Sequence, residues 1–235
     1  MTYLKQKTNK LFYGKFPYKV NAYCKGINFL RLRDYEWILE RTQGTSPYVT
    51  IASTHNVDRD NLRRFIILAH PYFDSFRSRL ENNAVSFFLE TKEQFDEVCK
   101  VLHDFITYVS EPESDYALEY LQSKEKIVLC DRYPHDLYRY KVSFRSLNEN
   151  QKQKLLTWSK NYKETQVKFS KMSIEALERP VTYYWDNVFC HLDDIKHLTF
   201  LYLLIGSSIK KVEQFVLRSS INTVSQDQDY AKMDG

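Results

Sequence analysis

Apolar and polar residues alternate over two short, similar stretches of the chain, Tyr18–Tyr23 (YKVNAY) and Tyr140–Arg145 (YKVSFR). Alternation with a period of two is typical of a half-buried strand, whose side chains point to opposite faces in turn. Two longer segments, Asn83–Thr91 and Asp186–Asp194, also match each other and alternate in the same way. These four segments predict an internal repeat, in which the same two strands occur once in each half of the chain.

Each copy of the longer segment ends in acidic residues, and a stripe of apolar residues at helical spacing follows. The stripe of Lys92–Phe105 includes Phe95, and the stripe of Asp194–Ile205 includes Leu198. Acidic residues suit a helix start, because they cap it and face the positive end of its dipole. Each copy therefore predicts a strand that leads into a helix.

Further segments complete the order strand, helix, strand, strand, helix, strand in each half. They are the helices Arg33–Thr42 and Leu147–Tyr162, the strands Phe76–Leu80 and Gln166–Met172, and the closing strands Lys126–Asp131 and Lys211–Arg218. Asn82 and Asn83 separate two strands, and asparagine tolerates the positive φ of a tight hairpin. This order predicts an α+β fold of two tandem ferredoxin-like (split βαβ) halves, each an antiparallel sheet with both helices on one face.

The predicted boundaries are residues 1–130 for the first half and 131–218 for the second, with a disordered tail over 219–235. An insertion is expected around 45–72, where Asn61–Leu68 has the pattern of an extra helix.

Composition excludes several classes of protein. The chain has 43% hydrophobic and 27% charged residues with a mean hydropathy of −0.53, which is typical of a folded protein. Its five glycines cannot build the Gly-rich loops of P-loop, Rossmann or protein-kinase sites. Four cysteines without a CxxC pair suggest reduced thiols rather than a zinc site or disulfides.

The sequence carries no signal for a membrane or for export. The longest apolar run, Leu198–Ile205, is far shorter than the roughly 20 residues of a membrane span. The polar N-terminus lacks the apolar core of a signal peptide. A soluble, cytoplasmic protein with no membrane partner is expected.

One face of each predicted sheet is left uncovered by helices, so it must meet solvent or a partner. Strand parity puts Val188, Cys190 and Leu192 in the core. The alternate positions of this strand and its neighbour carry aromatic and cationic side chains, which are Tyr183, Trp185, Phe189, His191, Arg139, Lys141 and Arg145. Rings that stack on bases, beside cations that hold phosphates, are the ingredients of single-stranded RNA or DNA binding.

The first half has a weaker version of this surface, formed by Lys19, Asn21, Tyr23, Ser86 and Phe88. No RRM signature string is present, so the predicted platform is convergent or diverged. The aromatic row also fits a second interpretation, in which the open faces pack together as an interdomain core.

Three functions follow from these patterns, and the leading one is a non-enzymatic, single-stranded nucleic-acid-binding protein. An abundance of Tyr, Phe, Lys, Asn and Ile is typical of an AT-rich genome and suggests a virus or phage, with a role in replication or expression in the host cytoplasm. The second hypothesis is a structural or assembly protein, whose partner is another copy of itself or another viral protein.

The third hypothesis is an enzyme, a metal-dependent nickase resembling replication initiators in its chemistry. His191 and Asp193 would hold the metal ion, and Tyr202 would attack the phosphodiester. Tyr202 is expected beside the apolar stripe of its helix, where a core role is simpler. The sequence assigns no catalytic residue, metal ligand or cofactor in the leading hypothesis.

Overall fold

The chain is a mixed α+β protein that divides into two compact units, Met1–Gln122 and Ser123–Gly235, and the described residues form one five-stranded sheet in each. The computed structural model describes residues 3–28, 35–42, 58–123, 126–180 and 187–221. None of the described helices has the length and apolarity that a membrane crossing requires.

The first sheet combines four antiparallel strands with one parallel outer strand. The strands and helices of this part of the chain are, in order, β1 (Leu4–Lys7), β2 (Tyr18–Tyr23), α1 (Tyr35–Thr42), α2 (Arg59–Ser75), β3 (Arg77–Glu81), β4 (Ala84–Leu89), α3 (Lys92–Val101), β5 (Ile106–Glu111) and α4 (Asp115–Ser123). The strand order is β1-β5-β2-β4-β3. Strand β1 lies parallel to β5, and the other neighbours are antiparallel.

The second sheet has the same arrangement. The strands and helices of this part of the chain are, in order, β6 (Ile127–Cys130), β7 (Tyr140–Phe144), α5 (Glu149–Ser159), β8 (Val167–Phe169), α6 (Lys171–Glu178), β9 (Phe189–Leu192), α7 (Ile195–Ile205) and β10 (Ile209–Leu217). The strand order is β6-β10-β7-β9-β8. Strand β6 lies parallel to β10, and the other neighbours are antiparallel.

The two sheets also share one strand register. The equivalent pairs are Tyr18–Leu89 and Tyr140–Leu192, Lys19–Phe88 and Lys141–His191, and Val20–Phe87 and Val142–Cys190. A slip of one residue would move every side chain of a strand to the opposite face. The shared register therefore gives both sheets the same inner and outer positions, in agreement with the predicted repeat.

In each unit the core lies between one face of the sheet and the helices. In the first unit Val20 and Phe87 of the sheet belong to one apolar cluster with Phe65 of α2 and Val98 of α3. The second unit has a matching cluster, whose members include Val142, Cys190, Leu155 and Leu201. The opposite face of each sheet carries the alternate side chains, as strand parity predicts.

Both sheets are mixed, which corrects the expectation of purely antiparallel halves. The segment Lys126–Asp131 is also not the closing strand of the first half, because β6 pairs with β10 in the second sheet. The first sheet closes with β5, which the sequence pattern missed. A register shift between Asn21 and Ala22 interrupts the β2–β5 ladder, and a strand beside such an irregularity loses its simple alternation.

The helix expected as an insertion at Asn61–Leu68 is part of the longer α2, which is a core element. Its residues Leu62, Phe65 and Ile66 are buried. The rest of the predicted insertion up to residue 57 lies outside the described residues. The predicted tail begins too early, because Ile221 is buried, and residues 222–235 lie outside the described residues.

The predicted hairpin at Asn82–Asn83 is confirmed. Glu81 lies opposite Ala84, so two residues connect β3 to β4. Asn82 adopts the left-handed conformation, with φ of 54°.

The hairpin geometry predicts different effects of two substitutions at Asn82. Asn82→Gly should leave the free energy of unfolding close to that of the natural chain. Asn82→Val should lower it by about 1–2 kcal/mol, because a β-branched residue is strained at positive φ. Urea denaturation of both variants measures the difference, and equal stabilities would contradict the turn.

Candidate nucleic-acid interface

A row of polar side chains crosses the open face of the second sheet. Lys168 of β8, His191 of β9 and Lys141 of β7 lie side by side in the ladder. Glu213 of β10 continues the row next to Lys141. The flanking residue Cys190 lies in the core, so His191 and its ladder partners face away from the helices.

Phe189 lies next to this row and contacts its central cation. The Nζ atom of Lys141 lies 4.1 Å from the centroid of the Phe189 ring, which is a cation–π contact. Both side chains are half-buried. The backbone N–H of Phe189 donates to Ser173 Oγ at 3.1 Å, so the start of β9 is fixed to α6. A ring and a cation are thus held together at the edge of the open face.

His191 is surrounded by aromatic rings. Tyr138 stacks on it with ring centroids 5.7 Å apart and an interplanar angle of 23°. Phe189 and Phe215 lie at centroid distances of 5.4 and 6.2 Å. Burial, and after it the charges of Lys141, His135 and Lys168, lower the pKa of His191 to about 4. His191 is therefore neutral at pH 7.

A loop between β6 and β7, residues 131–139, supplies the ring that covers His191. The Tyr138 hydroxyl donates to the Glu164 carbonyl, and only 2% of Tyr138 is exposed. His135 and Asp136 both have positive φ, at 53° and 60°, which turns the loop over the sheet. One face of the His191 ring is consequently occupied by the chain itself, so a base could stack only on its other face.

The first unit has an equivalent loop over its open face, residues 8–17. Phe12, Tyr13 and Phe16 contact Phe88, with centroid distances of 5.6, 4.9 and 6.4 Å. Phe88 is only 5% exposed. The loop also turns through two residues of positive φ, Tyr13 and Gly14. The weaker platform predicted in the first half is therefore covered at its aromatic centre.

Lys19, the register equivalent of Lys141, is held among rings of its own unit. Its Nζ lies 4.8 Å from the Tyr108 centroid, 5.8 Å from Phe12 and 5.9 Å from Phe88. It also donates to the Tyr108 hydroxyl. Lys19 is half-buried, as Lys141 is, but three rings lie around its ammonium whereas one lies beside that of Lys141.

The net charge of the protein belongs to the second unit. Of the 34 basic and 30 acidic residues, 16 of each fall in Met1–Gln122 and the remaining 18 and 14 fall in Ser123–Gly235. The whole formal charge of +4 therefore lies in the second unit. Cations around the first sheet also form ion pairs, such as Lys5–Glu111 at 3.5 Å and Lys15–Glu90 at 2.7 Å.

The remaining predicted site residues have different settings. Arg139 is exposed, with its guanidinium 5.8 Å from the centroid of Tyr133. Arg145 is exposed just after β7, and its backbone N–H donates to the Ser208 carbonyl. Tyr183 and Trp185 lie outside the described residues. Sequence reasoning missed Lys168, although the alternation of Val167, Lys168 and Phe169 already places it opposite two core residues.

Comparison of the chain with protein-family models, curated proteins and solved structures finds no match. No family is assigned. The functional argument therefore depends on the geometry of the described residues.

The residues of the nickase hypothesis are engaged with other partners or exposed. His191 stacks on Tyr138 at the open face, whereas Asp193 accepts a hydrogen bond of 2.8 Å from His197 Nδ1 on α7. Tyr202 is 51% exposed, which corrects the expected core position, since α7 turns it outward while Leu198 and Ile205 are buried. Among the described residues, no group of three or more His, Cys, Asp or Glu side chains could hold a metal ion.

The four cysteines are free, in agreement with the predicted reduced thiols. Burial raises the pKa of Cys24 to about 12 and that of Cys99 to about 11. Both thiols are therefore protonated at pH 7 and are poor nucleophiles.

The lowered pKa of His191 predicts a pH-dependent stability. The unfolded chain binds the proton near pH 6.5 and the folded chain only near pH 4. The free energy of unfolding should therefore fall as the pH decreases between these values. His191→Phe, which copies Phe88 of the first unit, should reduce this dependence. Urea denaturation at several pH values tests it, and an unchanged slope in the variant would be inconsistent with a buried, neutral imidazole.

The contacts of His191 with Tyr138 and of Asp193 with His197 predict the absence of nickase chemistry. Incubation with Mn²⁺ and single-stranded DNA should give no covalent protein–DNA adduct on a denaturing gel. An adduct that disappears in Tyr202→Phe would establish the endonuclease hypothesis instead.

Proposed function

We propose that each unit is a ferredoxin-like module with one added edge strand. With β1 left out, the four remaining strands of the first sheet, numbered in chain order, lie as 4-1-3-2 with antiparallel neighbours. The second sheet without β6 has the same order. Helices connect the first strand to the second and the third to the fourth in both units, which is the split βαβ pattern.

We further propose that the open face of the second sheet binds single-stranded RNA or DNA without enzymatic chemistry. Phosphates would contact Lys141, Lys168 and Arg139, and a base would stack against Phe189. Such binding combines cations that track the backbone with rings that accept any base, so it tolerates many sequences.

The contact between Lys141 and Phe189 carries this proposal. The ammonium lies 4.1 Å from the ring centroid, and Lys168 lies on the same face across His191. Neutral His191 separates two cations without offering an anion. A bound phosphate would add a counter-charge between Lys141 and Lys168, while Glu213 lies on the other side of Lys141 in the ladder.

The difference between the units supports the choice of the second one. The first unit has no net charge, and its register-equivalent Lys19 is enclosed by rings. The second unit carries the excess of four positive charges. A role in viral or phage replication or expression in a host cytoplasm remains part of the proposal and depends on composition alone.

Matched lysine substitutions test the proposal. A double variant, Lys141→Gln with Lys168→Gln, should weaken binding of a fluorescent single-stranded oligonucleotide at least about fivefold at low salt. The slope of log affinity against log salt should become smaller by about 1.4, since each lost phosphate contact releases about 0.7 fewer counterions. Lys19→Gln is the control and should leave both quantities close to those of the natural chain.

Tryptophan fluorescence provides a second readout of the same experiment. The oligonucleotide should quench the emission, and Trp185→Phe should remove most of the quenching while Trp37 and Trp158 remain. Absence of any binding at low salt, or an equal loss in the Lys19→Gln control, would contradict the proposed face.

A further inference from the structure

The outer face of α7 is apolar and exposed. Ile195, Phe200 and Tyr202 are each more than half exposed, and Leu203 is 80% exposed. Leu203 lies near the middle of this face, because Ile195 and Phe200 lie eight and three positions before it on the same side of the helix, and Tyr202 lies at the edge of the face. The opposite side of α7 is fully used in the core, where Leu198, Leu201 and Ile205 are buried.

Helix α3 of the first unit is an internal reference for α7. Both helices follow equivalent strands, and Thr91 and Asp194 cap them at equivalent positions. Counting from these caps, three buried positions match, since Phe95, Val98 and Leu102 correspond to Leu198, Leu201 and Ile205, whereas buried Cys99 corresponds to exposed Tyr202. The exposed positions differ in kind: Lys92, Asp96, Glu97 and Lys100 correspond to Ile195, Thr199, Phe200 and Leu203.

The fold therefore does not require an apolar outer face on this helix. The equivalent helix of the first unit, α3, has a charged outer face, and the residues of its inner face are buried in the core. Contiguous exposed apolar residues on one element mark an interaction surface rather than ordinary scatter. The four substitutions between α3 and α7 indicate a function that only the second helix has.

We propose that this face of α7 binds the same face of a second copy of the chain, forming a two-fold symmetric dimer. Roughly 500 Å² of apolar surface is exposed on each copy by four side chains together, namely Ile195, Phe200, Tyr202 and Leu203. Complete burial of both faces would remove about 1,000 Å² at most, which is the lower limit for a specific interface. The expected dimer is accordingly weak and in exchange with the monomer.

The charge of the face favours a second copy as the partner. An isologous interface brings each patch against itself, so a patch with many charges of one sign repels its copy. The outer face of α7 has one charge, Lys196, in its first turn. When two helices pack antiparallel, their lysines lie at opposite ends, where the side chains reach water at the rim.

A helix graft tests the proposal in the full chain. The variant Ile195→Lys, Thr199→Asp, Phe200→Glu and Leu203→Lys gives α7 the outer face of α3. Sedimentation equilibrium from about 1 µM to about 300 µM should show a monomer–dimer equilibrium for the natural chain, in the range expected for a small interface. The graft should weaken dimerisation by at least about 100-fold and keep the far-ultraviolet spectrum of the natural chain.

Two further variants separate the face from general effects. Leu203→Lys alone changes one exposed side chain, so it should weaken the dimer without unfolding the unit even if the full graft fails to fold. Ile67→Lys, at an exposed apolar position of α2, should leave dimerisation unchanged. A natural chain that stays monomeric over the whole range would overturn the proposal, as would a dimer that Leu203→Lys does not weaken.

Discussion

In each unit the pairing of two central strands, β2 with β4 and β7 with β9, determines which side chains face the helices and which face the open side of the sheet. Tyr18 lies opposite Leu89 and Tyr140 opposite Leu192, so both ladders have the same register. With this register, Val20 and Val142 face the helices, and Lys19 and Lys141 lie on the open face. Because strand side chains alternate, no residue of these ladders could change its role without changing all of them.

On this common frame the two units differ in surface chemistry. The first unit has Lys19 among three rings and no net charge, whereas the second has Lys141 beside Phe189 and an excess of four positive charges. Their equivalent helices differ in the same way, since α3 is charged outside and α7 is apolar. Both proposed surfaces therefore lie on the second unit.

The parts of the fold that the sequence predicted are those with strong local periodicity. Strands β2 and β7 and helices α3 and α7 alternate or repeat over enough residues to be recognised. Strand β1 has no such pattern, because its residues LKQK are all exposed and are ordered only by pairing with β5. The assignment of β6 to the second sheet depends on a partner far along the chain, which local patterns cannot identify.

The candidate site was only partly predictable for the same reason. Strand parity placed Phe189, His191 and Lys141 on the open face, and they lie there. Parity did not reveal that Tyr138 covers His191 or that Phe12 and Phe16 cover Phe88, because those contacts come from loops without periodicity.

The central claim is that only one of two equivalent open faces remains able to bind a nucleic acid. Photo-crosslinking of the full chain to a single-stranded oligonucleotide containing 5-iodouracil, followed by peptide mapping, measures this directly. The account predicts adducts in peptides of the second sheet around Lys141, Lys168 and Phe189. Adducts on the first sheet around Lys19 and Phe88, or equal labelling of both sheets, would contradict it.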